Sequence, residues 1–84
     1  MLVLVGSVTA ARRFSRAISS VSGIPSQVVH TPAELNSGGC SYSVRVADKL
    51  YPIIRKTAED NNIQIKKIYY EEIAEGKRIY NDLS

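Results

Sequence analysis

The sequence predicts an α+β domain of order βαββαβ. This is the ferredoxin-like arrangement, a four-stranded antiparallel sheet with two helices on one face. Three observations predict it. Apolar runs of strand length alternate with segments of helical periodicity. Gly and Pro punctuate the boundaries between them. The chain has 84 residues, which allows one modest core and no second one.

Leu2-Val-Leu-Val5 is a continuous apolar run and reads as a central strand. Gly6-Ser7 breaks it, and Ser7 or Thr9 can cap a helix by accepting from its first free N–H groups. Ala10, Ala11, Phe14, Ala17, Ile18 and Val21 then recur at helical spacing, with Arg12, Arg13 and Arg16 on the other face. Gly23 ends this helix and Pro25 prevents its return. Ser26 to His30 is a short second strand, and Thr31 to Gly39 is a connection rich in turn residues.

Ser41 to Val46 alternates, placing Tyr42, Val44 and Val46 on one face of a third strand. Asp48 is the expected cap of a second helix with Leu50, Ile53, Ile54, Thr57 and Ala58 inward; Pro52 fits its first helical position if the start lies a few residues later. Asn61-Asn62 closes that helix, and Ile63 to Tyr70 is the fourth strand. Phe14, Ile18, Val21, Leu50, Ile53 and Ile54 are expected to pack against the sheet. Residues 1–70 read as the domain, and residues 71–84 as a C-terminal tail or short helix, weakened by Gly76. Lys66 and Lys67 are expected to protect an edge strand from mispairing.

The formal net charge is +3, spread along the chain rather than gathered in a tail, which weighs against a nucleic-acid partner. No run approaches the ~20 apolar residues of a membrane span. One Cys excludes a disulfide scaffold and points to a reducing, cytoplasmic setting. With a single His and a single Cys there is no metal-ligand spacing, and no cofactor is expected. No catalytic triad or carboxylate pair can be assembled.

Cys40 therefore carries the functional question. It ends a Ser-Gly-Gly-Cys stretch at the mouth of the third strand. In a βαββαβ sheet the connection into strand three lies at the edge where the first helix begins. Cys40, Gly38 and Gly39 are thus expected beside Gly6, Ser7, Val8 and Thr9. Free N–H groups and the positive end of the helix favour an anion there, and a thiolate is one. Arg12, Arg13 and His30 can add positive potential from the same edge. Against this stands the ordinary role of a free Cys as a small buried hydrophobe.

Taken together, these pieces resemble the selenium/sulfur carrier-like family. The matching features are the apolar first strand, Ala10-Ala11-Arg12, Gly23-Ile24-Pro25, Thr31-Pro32-Ala33-Glu34-Leu35, the small-residue stretch ending in Cys40, and Ile63 to Tyr69. The resemblance covers roughly residues 3 to 70. Where the family often has Cys followed by Gly, the order here is Gly38-Gly39-Cys40-Ser41. The resemblance implies a carrier or accessory protein rather than an independent enzyme. Cys40 would hold the chalcogen, with sulfur or selenium donor and acceptor proteins as partners. The alternative is a non-catalytic interaction or regulatory module of the same plan. A homodimer through the helix-free sheet face, using Ile65 or Ile68 and a strand-three residue, is a further expectation.

Overall fold

The computed structural model describes residues 1–35 and 42–83. Its elements are β1 (Leu2–Val5), α1 (Val8–Ser22), β2 (Gln27–His30), β3 (Tyr42–Arg45), α2 (Tyr51–Asp60), β4 (Ile65–Ala74) and β5 (Lys77–Asp82). Two short 3-10 turns, Ala33–Leu35 and Asp48–Leu50, lie before β3 and α2. The sheet order is β2-β3-β1-β4-β5, and every neighbouring pair is antiparallel.

The alternation of side chains divides the sheet into two faces. Val3, Val5, Val44 and Ile68 point to the face that α1 and α2 cover with Ala11, Phe14, Ile18, Ile54 and Ala58. Phe14, Ile18 and Ile54 are fully buried there. The opposite face holds a smaller cluster of Leu2 and Leu4, with Val29, Leu35, Tyr69 and Tyr80 packed around them.

Five expectations are corrected. The sheet has five strands rather than four. Residues 71–82 form the end of β4 and all of β5, not a tail or short helix. They do so because Glu75 and Gly76 both take positive φ, 53° and 75°, and close a two-residue hairpin between Ala74 and Lys77. Second, Val21 is 67% exposed. Gly23, at φ 72°, reverses the chain and returns Ile24 to the core at the end of the helix in place of Val21.

Third, Asp48 does not cap a helix with its side chain. It opens a 3-10 turn, and its Oδ1 accepts from the Met1 ammonium at 3.0 Å. The helix begins at Tyr51, with Pro52 in its first turn. Fourth, Ile65 and Ile68 both face the helices rather than the helix-free side. Between Leu4 and Val5 of β1 the pairing jumps from Lys67 to Ile65, so β4 spends an extra residue, Lys66, in a bulge. That bulge turns Ile65 to the same side as Ile68, three residues on. Fifth, β4, which carries Lys66 and Lys67, is not the last strand of the sheet; β5 lies beyond it, and the register of the two strands begins at Tyr69, past the two lysines.

Candidate functional site

The expected site is the sheet end at which β1 runs into α1. Val5, the last residue of β1, pairs with Tyr42, the first of β3, and with Ile65, the first of β4. His30, the last residue of β2, pairs with Tyr42 as well. The ends of β1 and β2 and the starts of β3 and β4 thus meet at one edge, as strand direction requires. The His30 and Tyr42 rings lie 4.8 Å apart at 35°. One residue further on, the hydroxyls of Thr31 and Ser43 are hydrogen bonded at 2.7 Å, both side chains buried. The two ends of the β2–β3 connection are therefore tied together just inside the sheet.

Above this edge the start of α1 is well formed. Ser7 is extended, at φ −150°, and its Oγ accepts from the Ala10 N–H at 3.1 Å. The Ala11 N–H donates to the Ser7 carbonyl at 2.9 Å. The cap uses the Ala10 donor; the N–H groups of Val8 and Thr9, at the first two helical positions, have no acceptor within the helix by its geometry. Ser7 and Thr9 are exposed, as is Gly6.

The bulge in β4 delivers a charge to the same place. A methyl group built on Gly6 would lie 3.4 Å from Cε of Lys66 and 4.0 Å from its Nζ. An exposed ammonium therefore reaches over the β1–α1 turn. Sequence reasoning missed this residue, because nothing in an Ile-Gln-Ile-Lys-Lys-Ile run marks where a strand will bulge. The other cations are placed differently. The Arg13 guanidinium donates to the carbonyl of Asn61 at the end of α2, and so ties the two helices together. Arg12 and His30 are exposed. Cys40, Gly38 and Gly39 lie outside the described residues. Among the described residues no group of three His, Cys, Asp or Glu could hold a metal ion, and no helix is long and apolar enough to cross a membrane.

A second polar cluster lies on the helix-free face, at the other end of the sheet. The Arg45 guanidinium grips Glu71 with two bonds, Nε to Oε1 and an Nη to Oε2, each 2.9 Å. Arg78 approaches the same carboxylate at 3.5 Å, and the Met1 ammonium at 3.9 Å. Burial pushes the Glu71 carboxyl up, but the bond to Arg45, its charge, the ammonium and Arg78 together outweigh it and hold the group below its ordinary value. The bond to Glu71 raises Arg45 in turn. This cluster fastens β3 to the β4–β5 hairpin and is structural.

The arrangement is that of a small α+β domain with an exposed, cationic helix start at one sheet edge. The chain belongs to the family described as "Putative Se/S carrier protein-like", which matches residues 1–70. No curated protein and no solved structure matches it.

Proposed function

We propose that the chain is a sulfur or selenium carrier that holds the chalcogen on Cys40. The observation that carries this reading is the meeting of Val5, Tyr42 and the start of α1 at one edge. Cys40 stands two residues before Tyr42. Two residues span at most about 7 Å of chain. On this reading the thiol works at the edge that holds Gly6 to Thr9 and Lys66, and the short reach from Tyr42 supports it. Backbone donors and an ammonium favour a thiolate, and equally a terminal persulfide or selenide anion. The description of the family supports the same chemistry.

The transfer step balances without an outside oxidant. The Cys40 thiolate attacks the terminal sulfur of a donor persulfide. The bond from Sγ to that sulfur forms, the donor's S–S bond breaks, and the donor leaves as a thiolate. An acceptor thiolate reverses the sequence. A selenium atom in the terminal position follows the same path. Gly38 and Gly39 carry no side chains and on this reading leave the sulfur accessible to a partner. Arg12 is an outer contributor to the positive potential.

The test is the pH profile of iodoacetamide labelling of the folded chain. The proposal expects a midpoint clearly below the free-thiol value of about 8.5. A midpoint at or above that value leaves Cys40 without activation and refutes the site. A second reading, a non-catalytic interaction module, draws on the exposed Tyr70, Ile73 and Ile79 of the hairpin. It requires partner binding that is unchanged in Cys40→Ser.

A further inference from the structure

The β4–β5 hairpin has an edge whose chemistry is complementary to itself. β5 is the last strand of the sheet, and five of its six residues are exposed. The two-residue turn makes Ala74 and Lys77 a hydrogen-bonded pair, so alternate residues of β5 bond inward to β4. The phase holds along the strand, because the Leu83 N–H donates to the Ile68 carbonyl at 2.8 Å. Lys77, Ile79 and Asn81 thus spend their backbone groups on β4. The N–H and C=O groups of Arg78 and Tyr80 point away from it, toward the open edge.

We infer that this edge pairs antiparallel with the β5 edge of a second copy of the chain, about a two-fold axis at Tyr80. Only outward-pointing residues can form the hydrogen-bonded pairs, and a two-fold normal to the sheet pairs residues of the same face. Centred on Tyr80, the register sets Tyr80 against its own copy and Arg78 against Asp82 of the second copy. Each interface then contains two opposite-charge pairs and one aromatic pair, the combinations that stabilise adjacent strands. Asp82 already accepts from Lys67 at 3.0 Å, which places it within a shared charge network rather than apart from one. Moving the register by one pair toward the turn would set Arg78 against Tyr80 and lose both charge pairs.

Packing argues the same way. Beyond Tyr69, which pairs with Leu2, β4 has no partner in β1 and the ribbon is only two strands wide. Two-stranded ribbons are marginal in water. Yet this one carries Tyr70, Ile73 and Ile79 exposed, with Ile79 at 41%. Pairing makes the ribbon four strands wide and sets Ile79 diagonal to its own copy. The charges that now fringe the edge also keep it from joining sheets that lack the complementary pattern.

Sedimentation velocity of the full chain, from low to high micromolar concentration, tests this. The wild-type chain is expected to dimerise across that range. Arg78→Pro removes one outward N–H and leaves the inward bonds to β4 intact, as edge prolines do. It should be monomeric with an unchanged circular dichroism spectrum. Arg78→Glu sets like charge against Asp82 of the second copy and also against Glu71 of its own chain; with an unchanged circular dichroism spectrum it should weaken association at least tenfold, while Arg78→Lys retains it. A wild-type chain that stays monomeric at high micromolar concentration overturns the inference. So does association unaffected by Arg78→Glu, which would place the contact elsewhere. Labelling of Cys40 is independent of either result.

Discussion

Replacing Glu71 by Gln removes the charge on which three cationic groups converge, and its cost can be worked from the geometry. The Arg45–Glu71 pair is bidentate at 2.9 Å, with side chains 34% and 11% exposed. An exposed pair contributes about 0–1 kcal/mol, and breaking a fully buried one costs about 3–5 kcal/mol. This pair lies between, and hydrogen bonds to charged groups contribute about 1.5–3 kcal/mol. The expected loss is therefore about 2 kcal/mol, read as a lower midpoint in urea at pH 7 with an unchanged slope. The pH dependence has a definite sign. The folded-state carboxyl lies below its ordinary value of 4.5, so the stabilisation is complete above that pH and is lost as pH falls through the lowered value. The gap between wild type and Glu71→Gln should then close on acidification below pH 4.5. In a double-mutant cycle, Arg45→Met should show most of the loss as coupling to Glu71. A neutral-pH loss under about 0.5 kcal/mol, or a gap that persists at acid pH, would refute the reasoning.

Three further outcomes are expected. Phe14→Ala, at a fully buried position on the inner face of α1, should cost about 3–5 kcal/mol in the same denaturation assay; a loss below about 1 kcal/mol would contradict the core assignment. Gly76→Val forces a β-branched residue to φ 75° and should cost about 1–2 kcal/mol, with backbone amide shifts confined to the hairpin; an unaffected stability would contradict the turn. Lys66→Gln removes the ammonium over Gly6 and should raise the pH midpoint of Cys40 labelling without changing stability; an unmoved midpoint would remove Lys66 from the site.

The order of the first six elements was legible because each has its own period. The apolar run of Leu2 to Val5, the helical stripe through Phe14 and Ile18, and the alternation of Tyr42 to Val46 cannot be exchanged for one another. The edge that gathers Val5, His30 and Tyr42 followed from strand direction alone. The fifth strand was not legible. Half of Lys77 to Asp82 is charged, and a Glu at positive φ is rare enough that Glu75-Gly76 reads as a weak helix rather than a hairpin turn. The bulge at Lys66 was hidden too, since one extra residue in a strand leaves no trace in composition. That single irregularity turns Ile65 to the helix side along with Ile68, where plain alternation would put one of the two on the other face, and it brings Lys66 over Gly6.

In the proposed function, Cys40 accepts and releases a chalcogen. Mass spectrometry of the intact chain after incubation with a small-molecule persulfide tests it most directly, with Cys40→Ser as the control and an acceptor thiol added in a second step. A gain of one sulfur atom on Cys40, none on the variant, and a return to the original mass once the acceptor is present are expected. No gain on the wild-type chain, or an equal gain on Cys40→Ser, would contradict it.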